Sequence, residues 1–331
     1  MARRSVSRTC VMLLVLTGVF VVRMHAAQQT ALDPQTVSEA VSSIAKVVSD
    51  EYFDPAVGER AAAHLREYVA HTTEPFATTN RLAAAVTREL YAATHDKHLA
   101  VTVVAPPAAS GSATSGATAA ELRAARGARE NFGFRQVSIL DGNVGYIDLR
   151  TFYRLDEARA TVDAAMRFVS HADALIIDLR SNQGGSPETV ALLAGYLFDE
   201  PGRPLFDIVP RSGEAVHYTT PSPAVEGTRG SRPTFALTSS RTFSAGEGFA
   251  FILQEERRAV IVGEQTAGAA NPGRSYPARA GFEVSVPNGQ VRTAKSGRNW
   301  EGSGVTPDVP VAADRAQAIA LEMATRALAA R

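Results

Sequence analysis

The sequence has a single cysteine and no long run of like charges. Cys10 lies close to the amino terminus, so the rest of the chain contains no thiol. Disulfides, cysteine nucleophiles and thiolate metal sites are therefore excluded beyond that segment. Lysine plus arginine (34) equals aspartate plus glutamate (34), and no five like charges occur in a row. This balance does not predict the basic surface that proteins use to bind nucleic acid or an anionic membrane.

Apolar residues are plentiful. The chain has 331 residues, of which 45% are hydrophobic, enough for one large or two modest cores. A protein, a peptide or a small molecule is therefore the expected partner. The sequence leaves the oligomeric state open.

The amino terminus has the layout of a secretory signal peptide. Three arginines within the first eight residues precede an uncharged apolar run over residues 10–22, and Ala26 and Ala27 follow. We expect a signal peptide over residues 1–27 and export to the periplasm or the exterior. The run is shorter than the roughly 20 apolar residues needed to span a bilayer, so no stable membrane insertion is expected after cleavage. An uncleaved anchor extending to Ala27 is the alternative.

Three regions follow. Apolar residues at three- and four-residue spacing predict a helical domain over residues 31–104, with Asp-Pro pairs at Asp33 and Asp54 starting helices. Residues 105–131 are rich in Ala, Ser, Gly and Thr and predict a flexible linker or loop. These 27 residues are also too few for a PDZ-type peptide-binding module.

Residues 132–331 predict an α/β core. Short apolar runs typical of buried strands lie at 144–149, 174–179, 234–237 and 259–262. Helical stretches lie between them at 155–170, 187–197 and 245–255. This alternation favours a sheet of buried, largely parallel strands.

A candidate nucleophile lies where one of these strands meets a helix. Ser244 follows the strand at 234–237 after a polar turn and opens the helix at 245–255. A hydroxyl there is exposed at the end of the sheet and close to free backbone N–H groups of a helix amino terminus. The alternative is that Ser244 only caps the helix, with Glu247 completing a capping box.

A glycine pair follows a second strand. The strand at 174–179 runs into a polar loop that contains Gly184 and Gly185. Glycine lets a backbone N–H approach a ligand without a β-carbon in the way, as an oxyanion hole requires. A structural turn or a phosphate cradle is the alternative. We expect Asp178 and Arg180, at the start of this loop, to form a structural ion pair.

Four motifs occur in the order typical of one protein family. They are Asp178-Leu-Arg180-Ser-Asn182-Gln-Gly184-Gly185, Ser244-Ala-Gly-Glu247, Gly263-Glu264-Gln-Thr266 and Gly304-Val305-Thr-Pro307-Asp308. Together they resemble the C-terminal processing peptidases, the tricorn protease core and interphotoreceptor retinoid-binding protein. The resemblance implies a crotonase/ClpP-like β-β-α spiral core with an N-terminal helical domain. It also implies Ser244 as nucleophile, with the N–H groups of Ala245 and of Gly184 or Gly185 as oxyanion donors.

The resemblance also indicates the general base. Processing peptidases place a lysine where this chain has residues 268–270, Gly-Ala-Ala, and Lys295 lies outside the pattern. The tricorn-like branch instead uses a histidine and a glutamate, which implies His98 and Glu301 here. Lys97 replaces a serine that supports the histidine in that branch. His95, which we expect on the same helical face as His98, is the rival base.

These observations predict a serine endopeptidase that acts on proteins or peptides. Ser244 attacks, His98 moves the proton and Glu301 orients His98. The reaction needs no metal or other cofactor. The alternative, from the retinoid-binding relatives, is a non-catalytic binder of hydrophobic small molecules.

Overall fold

The computed structural model describes residues 31–72, 75–104, 118–222 and 232–331. The expected signal peptide at 1–27 lies outside the described residues. None of the helices in the described ranges combines the length and apolar character needed to cross a membrane.

The described chain forms eight α-helices and twelve strands. The helices are α1 (Pro34–Glu51), α2 (Pro55–His71), α3 (Thr79–Thr94), α4 (Ala119–Arg129), α5 (Leu155–Phe168), α6 (Pro187–Gly195), α7 (Ala245–Glu255) and α8 (Ala316–Ala329). The strands are β1 (Ala100–Val103), β2 (Phe134–Leu140), β3 (Val144–Leu149), β4 (Ala174–Asp178), β5 (Pro204–Pro210), β6 (Val216–Thr219), β7 (Thr234–Thr238), β8 (Val260–Gly263), β9 (Gly273–Pro277), β10 (Phe282–Pro287), β11 (Gly289–Thr293) and β12 (Val309–Pro310).

The three amino-terminal helices form as predicted. Asp33 accepts a hydrogen bond from the Thr36 N–H, and Asp54 caps α2 in the same way, each ahead of a proline in the first turn. α1, α2 and α3 bury one apolar face each in a shared core.

One part of the expected linker is helical. Residues 119–129 form α4, whereas we expected a loop over 105–131; residues 105–117 are not described. A capping box between Thr118 and Glu121 starts the helix. Gly127 lets α4 approach the rings of Phe132 and Tyr153 closely, so neighbouring residues supply the apolar contacts that the segment itself lacks.

A six-stranded sheet lies at the centre, in the order β12-β8-β7-β4-β3-β2. Its strands are parallel except β2, which pairs antiparallel with β3. This confirms a mixed sheet of largely parallel, buried strands. The small residues of α8, at 316, 320 and 324, cover one face of the sheet, and α5, α6 and α7 pack in the core on the other.

Two three-stranded antiparallel sheets flank the centre. One has the order β11-β5-β6 and the other β1-β10-β9. In the second, β1 comes from the amino-terminal region and pairs with β10 from the carboxyl-terminal region. The core under α1–α3 therefore includes Phe282, Val284 and Val286, which lie far along the chain.

Candidate active site

Ser244 lies at the junction between β7 and α7. β7 is buried throughout, and a polar turn over residues 239–243 leads to Ser244. Ser244 has φ 52° and ψ −121°, a backbone conformation uncommon for a residue other than glycine. Such strain is frequent at functional sites. The side chain is half-buried and lies at the amino end of α7.

The paired-glycine loop packs directly against this serine. A β-carbon added at Gly184 would lie 2.7 Å from Ser244 Cβ and 3.0 Å from the Ala245 nitrogen. The Gly184 N–H donates to Asn182 Oδ1 at 2.8 Å. The Gly185 and Ala245 N–H groups, by contrast, have no hydrogen-bond acceptor within the described ranges. Of the two glycines, Gly185 therefore has the donor available to a ligand.

Asn182 orders this loop, a role that the sequence analysis did not assign. Asn182 is fully buried. Its side-chain Nδ2 donates to the Leu149 carbonyl at 2.9 Å, and its backbone carbonyl accepts a hydrogen bond from the Phe243 N–H at 3.0 Å. Asn182 thus ties the glycine loop to β3 and to the serine turn. Its place in the first motif was the only available signal.

The Asp178–Arg180 ion pair is confirmed as a structural pair. Arg180 Nη2 lies 2.5 Å from Asp178 Oδ2, and Tyr146 donates to the same carboxylate at 2.7 Å. Arg180 also donates to the Ala313 carbonyl, so the pair anchors the loop before α8.

Glu247 joins the second motif to the third. Its carboxylate accepts the Ser244 N–H at 2.8 Å, the Thr266 hydroxyl at 2.6 Å and the Gly268 N–H at 2.6 Å. Burial raises the pKa of Glu247, although these donors favour the charged form. Thr266 in turn accepts the Val305 N–H at 2.7 Å, which links the third motif to the fourth.

His98 lies in a turn beyond α3 rather than on the helix. The helix ends at Thr94, and His95 follows in the left-handed conformation with φ 57°. The expectation that His95 and His98 share a helical face is therefore wrong. The His98 ring packs against Phe243, the residue before Ser244, with ring centroids 4.8 Å apart. His95 is exposed and contacts Tyr91 edge to face.

Glu301 lies beside His98. A ring nitrogen of His98 and a carboxylate oxygen of Glu301 lie within 4.8 Å of each other. Glu301 Oε2 accepts the N–H groups of Ala270 (2.6 Å) and Asn271 (3.1 Å). His98 Nδ1 and Glu301 Oε1 are both buried without a hydrogen-bond partner. Each therefore retains capacity for one hydrogen bond at this place.

Burial shifts the pKa values of both His98 and Glu301. Burial lowers the pKa of His98, against an opposing effect of Asp96. Burial, reinforced by the negative charge of Asp96, raises the pKa of Glu301 to about 7. Near neutral pH the imidazole is therefore neutral, as a general base must be, and Glu301 is close to its titration midpoint.

Asp96 supports the histidine turn. Its Oδ1 accepts the His98 N–H at 3.0 Å, and its Oδ2 accepts the Tyr52 hydroxyl at 3.1 Å and Asn271 Nδ2 at 3.0 Å. Asn271 therefore contacts both Asp96 and Glu301. The sequence analysis missed Tyr52 and Asn271, because neither belongs to a local motif; only Asp96, within Asp-Lys-His, carried a signal.

The same cluster is the one group of potential metal ligands in the described part of the chain. Asp96, His98 and Glu301 each offer a ligand atom, all within 4.8 Å of one another. However, both oxygens of Asp96 already accept hydrogen bonds, and so does one oxygen of Glu301. A metal would therefore share these oxygens with their donors.

Neither Lys97 nor Lys295 is directed at the candidate site. Lys97 donates to the Ala267 carbonyl and does not bond to His98. Lys295 donates to the Glu255 carbonyl at the carboxyl end of α7. Ser244 lies at the other end of that helix, so Lys295 is not placed to act as its base.

A small apolar pocket opens beside Ser244. Its volume is about 50 Å³, and Gly185 and Ala245 lie on its wall with the serine. The remaining wall is largely apolar and includes Val190, Phe206, Ile208, Ile252, Val291 and Trp300. A small aliphatic side chain placed next to the serine would fit there.

Comparison with known proteins bears on the same region. Residues 143–311, just over half of the chain, match the family described as Peptidase family S41. "Carboxyl-terminal-processing peptidase 2, chloroplastic" from Arabidopsis thaliana is 29% identical over 171 residues, which are 51% of this chain and 32% of that protein. The chain thus spans about a third of the length of the curated relatives it matches.

Solved structures share the fold. The mature CPAF structure has a TM-score of 0.61 at 14% identity, with 88% of this chain and 97% of that chain covered. The photosystem II D1 C-terminal processing protease has a TM-score of 0.50 at 18% identity, with 84% and 94% covered. At these identities the likeness concerns the fold, a mixed α/β architecture with amino-terminal helices.

Proposed function

Because the chain belongs to peptidase family S41, we propose that it is a serine endopeptidase that hydrolyses peptide bonds in proteins or peptides. One observation carries the proposal. His98, in a turn of the amino-terminal region, lies beside Glu301 of the carboxyl-terminal region, and its ring packs on Phe243, next to Ser244. A base, its orienting carboxylate and a hydroxyl thus come from three distant parts of the chain.

In the first step of the proposed reaction, Ser244 Oγ attacks the carbonyl carbon of the scissile peptide and its proton passes to His98. His98 Nε2 has no hydrogen bond within the described ranges. Unlike Nδ1, it is not buried, so it faces solvent. Nδ1 lies on the buried side with Glu301. The relay requires a shift that brings Nδ1 within hydrogen-bond distance of Oε1, about 2.6 to 3.2 Å, and Nε2 within the same distance of Ser244 Oγ.

The developing oxyanion accepts hydrogen bonds from the two free N–H groups, those of Gly185 and Ala245. We assign Gly185 rather than Gly184, since the Gly184 N–H already donates to Asn182. His98 then protonates the leaving amine, the C–N bond breaks and an ester remains on Ser244. Water, deprotonated by His98, hydrolyses this ester and releases the carboxylate product.

The pocket beside Ser244 supports a preference for a small aliphatic side chain before the cleaved bond. At about 50 Å³ the pocket is small and suits such a side chain better than a larger one. It is also small for the alternative function, binding of a hydrophobic small molecule, at this place. Sites for drug-sized ligands are typically about 300–1,000 Å³.

Two further expectations stay proposals. The parallel series β3, β4, β7 and β8, with α5, α6 and α7 between its strands, is consistent with a crotonase/ClpP-like spiral. Export, which depends on residues 1–27, is consistent with a chain that has no cysteine beyond Cys10.

The test is labelling of the purified protein with a fluorophosphonate probe, followed by an assay on an unfolded protein substrate. We expect labelling at Ser244 and cleavage, both abolished by Ser244→Ala. The control is Ser275→Ala, which alters an exposed serine on β9. If the wild-type protein neither reacts with the probe nor cleaves the substrate, the proposal is rejected.

A further inference from the structure

A second polar site lies at the amino ends of β7 and β8, at the other end of the strands from Ser244. Arg232 precedes β7 and Arg258 precedes β8, whereas Ser244 follows the carboxyl end of β7. Both arginines line a pocket of about 550 Å³, together with Thr234, Gln254, Arg257 and Asp308. The site is therefore separate from the candidate active site.

Arg232 uses only one side of its guanidinium group. Its Nη1 donates to the carbonyls of Val169 (3.0 Å) and Ala172 (3.3 Å). Its Nε and Nη2 are buried and have no partner. Nε and Nη2 form the edge that pairs with both oxygens of a carboxylate or two oxygens of a phosphate.

Other arginines of this protein show what that edge normally binds. Arg150 Nε and Nη2 donate to the two oxygens of Asp148 at 2.5 and 2.6 Å. Arg180 pairs with Asp178 through the same edge. Arg232 presents this edge in a buried position with no carboxylate against it.

Arg258 adds a second incompletely bonded cation. Its Nη1 donates to Thr234 Oγ1 at 2.8 Å and its Nε to the Leu197 carbonyl, while Nη2 is buried without a partner. The positive charges of the two arginines act on each other. Burial and the charge of Arg258 lower the pKa of Arg232 to about 10.

The free guanidinium nitrogens of this pair have no carboxylate hydrogen-bonded to them. Both oxygens of Asp308 already accept hydrogen bonds, from Gln254 Nε2 at 2.8 Å and from the Ile261 N–H at 2.7 Å. Asp199 acts electrostatically on Arg258. Three buried guanidinium nitrogens therefore remain without an acceptor, and such groups in a folded protein call for a bound water or ion.

We propose that Arg232 and Arg258 form a binding site for an oxyanion, the carboxylate or phosphate group of a small ligand. The Nε–Nη2 edge of Arg232 holds two of its oxygens, and Arg258 Nη2 donates to one of them. Both side chains line the open pocket, but the free nitrogens are buried, so binding requires a rotation of each guanidinium group toward the pocket.

The test is isothermal titration of the full chain with inorganic phosphate, sulfate and acetate, each at the same ionic strength set with sodium chloride. We expect saturable binding of at least one oxyanion and a matching rise in melting temperature. Arg232→Lys keeps the charge but loses the bidentate pair of donors, Nε and Nη2, so binding should weaken about tenfold or more. Comparison of phosphate with acetate identifies the class of oxyanion.

Arg60→Lys is the matched control, because Arg60 is an exposed arginine on α2 that does not line this pocket. Its binding should equal that of the wild type. Should Arg232→Lys fail to fold, Arg258→Lys provides the same comparison through Nη2. Absence of saturable binding to the wild type, or equal binding by the wild type and the folded arginine variants, would overturn the proposal.

Discussion

Glu301 keeps one buried carboxylate oxygen unpaired beside the buried Nδ1 of His98. The other oxygen is held by two backbone N–H groups, so the carboxylate is oriented before any substrate arrives. Burial and the charge of Asp96 raise its pKa to about 7, and burial lowers the pKa of His98. In the proposed relay we therefore expect Glu301, more than His98, to set the pH at which activity falls on the acid side.

The pH dependence of kcat/KM tests this assignment. Glu301 must be ionised to accept the Nδ1–H of His98, so activity should fall as the pH drops through about 7, the pKa of the carboxyl. Glu301→Gln removes that titration. We expect a rate lower by about 10²-fold or more, and an acid limb at lower pH set by the depressed pKa of His98.

Glu214→Gln, at an exposed loop position, is the control and should keep the wild-type profile. An unchanged acid limb in Glu301→Gln would show that another group governs the profile. It would remove Glu301 from the proposed relay.

At the scale of elements, the loop after β4 and the amino end of α7 form one surface. Gly184 has φ +91° and lies against Ser244 and Ala245. The Asn182 side chain fixes the loop by accepting the Gly184 N–H. The close approach leaves no room for a side chain. The loop geometry thus depends on a glycine for both its backbone conformation and its contact with the serine.

Gly184→Ala compared with Gly202→Ala separates these two effects. Both glycines have positive φ, but nothing lies within 4 Å of a β-carbon added at Gly202. Gly202→Ala should cost about 1 kcal/mol of stability from backbone strain and leave activity intact. Gly184→Ala should also displace Ser244 and lower fluorophosphonate labelling by about 10²-fold.

Thermal unfolding and labelling rates are the measurements for both variants. Equal labelling by the two folded variants would contradict the claim that the glycine loop shapes the serine site.

At the scale of the whole molecule, the amino-terminal helices and the core are interlocked. β1 pairs with β10, and the Phe53 N–H donates to the Pro287 carbonyl at 2.9 Å. Arg211 Nη1 donates to the carbonyls of Ser49 and Tyr52, each at 2.8 Å. Because His98 belongs to the helical side and Ser244 to the core, this docking sets their separation.

Arg211→Ala removes both bonds from the carbonyl end of α1. We expect a loss of about 1–3 kcal/mol in stability and slower labelling of Ser244, since the histidine turn loses part of its support. Arg274→Ala, an exposed arginine on β9, is the control and should change neither quantity. Normal labelling by a destabilised Arg211→Ala would show that the docking does not position His98.

Local patterns predicted the parts of this protein that depend on near neighbours. The apolar run at 144–149 coincides with β3, and the strand, turn and helix around Ser244 occur as expected. These elements follow from burial periodicity and capping, which a short window of sequence contains. The antiparallel strands β9–β11 were missed. β10 pairs with β1 and β11 pairs with β5, which lie far away along the chain.

The sequence by itself determined the α/β core and its motif order, because hydrophobic periodicity and turn residues act over short distances. Only the tertiary structure decided that Asn271 touches both Asp96 and Glu301 and that the Gly185 N–H is free while that of Gly184 is not. It also decided that His98, and not His95, packs beside the serine turn. The physical reason is that hydrogen-bond partners and burial are set by packing between segments far apart in the chain.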